Sequence, residues 1–167
     1  LGYAPDEWAH LSVLLQKQGR GHRVCEALGL ITPRKNGQGY YVRFRNRLMF
    51  PVFDITEKPI GFGGRILPSD DDNPGAKYIN SPDSDLHTKG DILFGLAQAK
   101  KSIRDNKYAV LVEGNIDVLM MHQAGFTMTV APMGTALTPA QVRLLRRFSD
   151  EVVLLYDGDT AGQAAAI

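Results

Sequence analysis

Short apolar runs punctuate the second half of the chain. Ala109–Val112 and Val152–Tyr156 are continuous apolar segments that end abruptly in acid and glycine, and a third lies near Met128–Ala131. Runs of about 4–8 apolar residues bounded by turn residues suit strands buried on both faces. Helical patterns lie between them, near Ile116–Ala124, closed by Gly125, and from Thr138 onward. Thr138-Pro-Ala-Gln141 is a capping box with Pro at the first helical position. The resulting β-α-β-α-β order predicts parallel strands joined by right-handed crossovers. A last helix should open after Thr160.

The first half reads differently. Asp6 is positioned to cap a helix from Glu7 to about Gln18, with Trp8, Leu11 and Leu15 on its apolar stripe and Gly19 at its end. A short helix follows at Arg23–Leu28, stopped by Gly29, and Thr32–Gly39 is turn-rich. From Tyr40 the period falls to two. A strand there places Tyr41, Arg43, Arg45 and Arg47 on one face and Val42, Phe44, Asn46 and Leu48 on the other. Met49–Ile55 and Ile60–Leu67 predict a hairpin turning at Thr56–Pro59. Pro68–Ala76 should be a surface loop, and Ile92–Asp105 a helix. The fold class is therefore α/β: an α+β front subdomain followed by a parallel sheet flanked by helices.

Charge adds one feature to this picture. The 167 residues carry a net charge of +1, but residues 1–65 hold 10 Lys/Arg against 5 Asp/Glu and residues 66–167 hold 9 against 13. A basic front half beside an acidic rear half suits a polyanionic partner handled through a bound cation. Cys25 is the only cysteine, which excludes an internal disulfide and a cysteine-rich zinc site. His10, His22, His87 and His122 are scattered and read as surface or packing residues. No apolar run reaches the ~18 residues of a membrane span.

The candidate chemistry lies at the strand ends. Glu113, Asp157 and Asp159 sit just past the carboxyl ends of predicted strands, the rim where open α/β sheets bind ligands. Two carboxylates about 4 Å apart repel by roughly 4 kcal/mol at an effective dielectric of 20, a cost a cation removes. Hard oxygen donors suit Mg²⁺ or Mn²⁺. Asp117 falls one helical turn beyond Glu113 and could join them. The same acids also fit a capping role, since Glu113 precedes one helix and Asp159 another. Asp157–Gly162 is not a calcium loop, because Ala161 stands where Asp or Asn is needed. Gly61–Gly64 is not a dinucleotide fingerprint, because Ile66 takes the last glycine position. A second candidate set is basic: Arg43, Arg45, Arg47, Arg65 and Lys77, with Tyr78 and Asn80, residue types that grip phosphates and meet bases or sugars.

These motifs resemble a known family. Glu113-Gly114 with Asp117, followed by Asp157-Gly158-Asp159, resembles the Toprim signature. Arg43–Pro51, Ile60–Arg65, Lys77–Pro82, Ile92–Leu96, Met133–Thr138 and Asp157–Gly162 resemble, in order and spacing, the RNA polymerase core of bacterial replicative (DnaG-type) DNA primases. The resemblance implies residues 1–106 as a basic subdomain binding template and nucleotide, and 107–167 as a Toprim domain truncated at its C-terminus. It implies a nucleotidyltransferase that makes short RNA primers from NTPs on single-stranded DNA. Glu113, Asp157 and Asp159 would bind Mg²⁺ or Mn²⁺, with Asp117 beside them among the catalytic acids. Arg43, Arg45, Arg47, Arg65, Lys77, Tyr78 and Asn80 would line the nucleotide and template path. The family's zinc domain, helicase-binding domain and a further acidic pair lie outside this sequence, and Asn115 replaces the usual aromatic after Glu-Gly. The chain is thus expected to be a fragment, without zinc, not necessarily active alone, from a cytoplasmic, nucleoid-associated bacterial protein that meets the replicative helicase through another region and no membrane. Two alternatives remain at this point. One is another Toprim protein, including a non-catalytic nucleic-acid-binding module. The other is a haloacid-dehalogenase-type phosphohydrolase using Asp157 as nucleophile.

Overall fold

The computed structural model describes residues 1–19, 21–68, 75–134 and 136–158. These divide into two compact units. One comprises Leu1–Pro51 with Gly61–His87, the other Val52–Ile60 with Thr88–Ile167. Part of the predicted 68–76 loop, Asp159 and the predicted helix after Thr160 lie outside the described residues.

In the first unit, β1 (Gly2–Ala4) pairs antiparallel with β4 (Arg47–Phe53). The four-stranded sheet continues through β5 (Pro59–Ile66) to β6 (Tyr78–Asn80). A separate ribbon pairs β2 (Ile31–Pro33) with β3 (Tyr40–Val42). Helices α1 (His10–Lys17) and α2 (Arg23–Ala27) complete it. Leu15, Ile31, Val42, Phe44 and Phe50 form its buried core.

Here the structure corrects three expectations. Helix α1 begins at His10, not Glu7, and Asp6 does not cap it. The Trp8 carbonyl accepts a hydrogen bond from the Val42 N–H at 3.0 Å, which holds residues 6–9 out of the helix, and Asp6 faces Arg45 instead. The arginine strand does not run continuously. β3 ends at Val42, Asn46 takes a left-handed φ of 46°, and β4 starts at Arg47. Arg43, Arg45 and Arg47 therefore do not share one strand face. The third correction is that the stretch read as turn from Thr32 opens in strand β2, because Tyr40–Val42 supplies its partner.

The second unit carries the predicted parallel sheet. Strands β8 (Tyr108–Leu111), β9 (Thr129–Pro132) and β10 (Glu151–Leu154) run parallel in the order β10-β8-β9. A short strand, β7 (Leu93–Phe94), extends the sheet antiparallel to β9. That strand corrects the helix expected from Ile92. Gly95, at φ 83°, breaks strand from helix, and α3 runs Leu96–Asn106. A residue with a side chain is disfavoured in that left-handed region. Helix α3 packs on β8 and β9, and α4 (Asn115–Gln123) packs on β9. Helix α5 (Pro139–Leu145) begins with the predicted capping box. Val110, Leu111, Val130 and Ala131 on the strands, Val112 just past β8, and Leu96, Ala99, Ile103 and Val118 on the helices are all buried. Side chains of the larger residues are each worth ~1.5–3 kcal/mol on burial. No described helix is long and apolar enough to cross a membrane.

Candidate metal and nucleic-acid sites

Because β8, β9 and β10 are parallel, their carboxyl ends share one rim. Glu113 leaves the end of β8 and Asp157 follows β10, both exposed. The ladder continues past β10 through Leu155 N–H to Leu111 O at 2.9 Å. Two residues on, the Asp157 N–H donates to Glu113 Oε1, also at 2.9 Å. Adjacent strands thus bring the backbone of Asp157 against the Glu113 carboxylate. Tyr156 marks the same place: burial, and then the Glu113 carboxylate, raise its phenol above the ordinary range. Sequence reasoning missed Tyr156, although its place immediately before Asp157 was a signal.

Asp117 lies in the first turn of α4. Its Oδ2 accepts the Gly114 N–H at 2.9 Å, the N3 acid of α4 reaching back over the helix start. The acid that caps α4 is therefore Asp117, whereas the capping alternative named Glu113. Asp159 lies outside the described residues, and among those described no three His, Cys, Asp or Glu side chains cluster closely enough to hold a metal. Glu113 and Asp157 supply two exposed hard oxygen donors. That set suits Mg²⁺ or Mn²⁺, which bind one or two carboxylates and complete their shell with water and phosphate oxygens.

The basic set sits in the first unit. β5 and β6 pair with Arg65 opposite Tyr78 and Gly63 opposite Asn80. Directly paired residues lie on one sheet face, so Arg65, Tyr78 and Asn80 share it. The Arg65 guanidinium and the Lys77 ammonium each lie 5.9 Å from the Tyr78 ring, which is 46% exposed. An exposed ring flanked by two cations can stack a base while the cations meet phosphate.

The other arginines are spent largely on the protein itself. Arg47 is only 6% exposed, and its guanidinium donates to the carbonyls of Gly64, Ala76 and Lys77 at 3.3, 2.9 and 3.5 Å. Burial, then the charges of Arg45 and Arg43, lower its pKa. Arg43 Nη2 donates to Asn80 O at 3.2 Å. Arg45 stacks on Trp8, 3.2 Å from the ring centroid, with Asp6 3.8 Å away. Arg47 and Arg43 therefore brace the strand that presents Lys77, Tyr78 and Asn80. The alternation of arginines gave no sign of this, because it assumed an unbroken strand.

Comparison with known proteins gives the family. Residues 1–100 match the DNA primase catalytic core, N-terminal domain, and residues 107–167 match the Toprim domain. The chain belongs to the DNA primase catalytic core family. Over 169 aligned residues it is 47% identical to the DNA primase of Synechococcus elongatus, covering 99% of this chain and 24% of that protein. The RNA polymerase domain of Mycobacterium tuberculosis primase DnaG superposes with a TM-score of 0.89 at 39% identity, covering 99% of this chain and 55% of that one. A DnaG primase catalytic domain solved bound to ssDNA gives a TM-score of 0.84 at 36% identity, covering 99% of this chain and 52% of that one. The chain spans about a quarter of the length of the curated primases it matches.

Proposed function

We propose that this chain is part of a DNA-dependent RNA polymerase that synthesises short RNA primers on single-stranded DNA from NTPs. The observation that carries the reading is the tie between Glu113 and Asp157 at the shared rim of parallel strands. Glu113, Asp117, Asp157 and Asp159 are the proposed catalytic acids and Glu113, Asp157 and Asp159 the proposed metal ligands, with Asp117 also fixing the start of α4. These carboxylates would hold Mg²⁺ or Mn²⁺, which would supply charge neutralisation on the triphosphate and a lowered pKa for the primer 3′-hydroxyl.

The chain's own residues do the remaining work by placement. The Asp157 N–H fixes one oxygen of the exposed Glu113 carboxylate. Arg65 and Lys77 meet phosphates, Tyr78 offers a stacking face, and Asn80 offers polar contacts to a base or sugar. Arg43 and Arg47 contribute chiefly by holding that surface, and Arg45, stacked on Trp8, remains a proposed nucleic-acid contact. Catalysis on this plan is positioning and electrostatic stabilisation rather than covalent chemistry. Residues 1–106 are the proposed template and nucleotide-binding subdomain and 107–167 the Toprim domain. The full protein would meet the replicative helicase outside this chain and work in the bacterial cytoplasm at the nucleoid.

Labelled NTP incorporation on single-stranded DNA tests this, using the full-length protein with Mg²⁺ or Mn²⁺. Short template-dependent RNA should appear with wild type and disappear in folded Glu113→Gln and Asp157→Asn variants. Synthesis untouched by either change overturns the site assignment, and no synthesis by wild type overturns the function.

A further inference from the structure

Gln141 is fully buried, at 0% exposure, and both ends of its carboxamide are engaged. Its Oε1 accepts the Thr138 N–H at 3.0 Å, closing the capping box. Its Nε2 donates to Lys89 O at 3.0 Å and to Ile92 O at 2.8 Å. Thr138 adds a bond from Oγ1 to Gly90 O at 2.5 Å. Two side chains at the start of α5 thus hold three backbone carbonyls of the 3₁₀ turn Lys89–Asp91 and its exit. Capping does not require this. Glutamate serves equally well at that helix position, but only glutamine can also donate.

The strand register shows where the turn stands. β7 is antiparallel to β9, with Leu93 opposite Pro132, so the residues before Leu93 lie beyond the carboxyl end of β9. β8 is parallel to β9, with Leu111 opposite Val130, so two residues on Glu113 is level with Pro132. Leu93 and Glu113 therefore flank Pro132 on either side, two strand spacings or about 10 Å apart. The turn, with its lysine, borders the same rim as the acids.

We propose that Gln141 is a positioning residue for the acid rim: it fixes the Lys89–Ile92 turn as a wall against the phosphate chain of a nucleotide bound at Glu113 and Asp157. The inference rests on the primase reading above. Gln141 touches no substrate and acts only through the turn. Losing its N–H donors while keeping the cap should therefore cost nucleotide binding more than it costs the fold.

The test is steady-state primer synthesis at varied NTP in the full-length protein. Gln141→Glu keeps the acceptor for Thr138 and leaves at most one of the two donations, from the hydroxyl of a buried neutral carboxyl. Its KM for NTP should rise about tenfold with kcat changed far less, the mark of lost ground-state binding. Ile103→Ala, in the buried face of α3, controls for stability. It should lower the melting temperature at least as much while leaving KM within about twofold of wild type. Thr138→Val, which removes the bond to Gly90 O together with the cap bond from the Gln141 N–H, should raise KM by a smaller factor and covers the case in which Gln141→Glu does not fold. An unchanged KM in the folded Gln141 or Thr138 variant overturns the proposal, as does an equal rise in Ile103→Ala. Absence of synthesis by wild type removes the primase reading and this inference together, an outcome distinct from an unchanged KM.

Discussion

The backbone N–H of Asp157 donates to Glu113 Oε1 at 2.9 Å, joining two residues 44 positions apart in sequence. The bond makes Glu113, just past the end of β8, both a candidate metal ligand and an anchor for the loop leaving β10. Two substitutions separate these roles. Glu113→Gln keeps an acceptor for Asp157 and loses the charge, so metal affinity should fall while the Asp157 amide stays protected from hydrogen exchange. Glu113→Ala should lose both. Exchange measured by NMR on the two variants checks this.

Arg47 should be the costliest of the three clustered arginines to remove. Arg47→Met leaves the Gly64, Ala76 and Lys77 carbonyls without their buried donor, which should cost about 2–4 kcal/mol in urea unfolding. Arg47→Lys should recover only part, because an ammonium cannot reproduce the planar fork. Nucleic-acid affinity should fall with Arg47→Met through displacement of Lys77 and Tyr78.

Gly95 is constrained twice. Its φ is 83°, and an added Cβ would stand 2.7 Å from Val118 Cγ1 and 3.3 Å from Thr129 O. Gly95→Ala should therefore destabilise by about 2–4 kcal/mol, backbone strain and crowding adding together. Gly61→Ala should show crowding alone, since the new Cβ would meet His87 Cδ2 at 2.8 Å without a left-handed φ. Thermal unfolding of both variants checks the ordering.

The hairpin turn between β4 and β5 should respond to acid. Asp54 Oδ1 accepts from the Lys58 N–H, the Thr56 hydroxyl and the Thr56 N–H, and these bonds lower its pKa. A carboxyl with a depressed folded-state pKa stabilises above its unfolded value, near 3.9, and loses that contribution as pH falls through the folded value. Protection of the turn amides should hold at neutral pH and fade below about pH 4. Asp54→Ala should remove that pH dependence.

Much of the rear half was legible because its signals are local, although Val152–Leu155, expected to be buried on both faces, are exposed, and Leu93–Phe94 form a strand. Apolar runs, Gly125 and the Thr138 capping box each specify their own element, and the parallel strands followed from element order. The front half was less legible because its determinants are distant in sequence. Strand β1 exists only because β4 pairs with it, and Asp6 is held off its helix by a backbone bond between Trp8 and Val42. The break at Asn46 could not be read from alternation, since one left-handed residue redirects the strand without changing the pattern. At the rim, the types and spacing of Glu113 and Asp157 pointed to one site. The lateral grip of Gln141 on residues 89–92 was invisible, because one half of a capping box looks complete without it.

The most direct test of the central claim is Mn²⁺ binding, followed by electron paramagnetic resonance of the free ion. Wild-type chain should remove Mn²⁺ from solution, and folded Glu113→Gln and Asp157→Asn should each bind about tenfold more weakly or worse, as expected when a ligand carboxylate loses its charge. Equal binding by wild type and both variants would contradict the account and leave the two acids as structural groups at the ends of their strands.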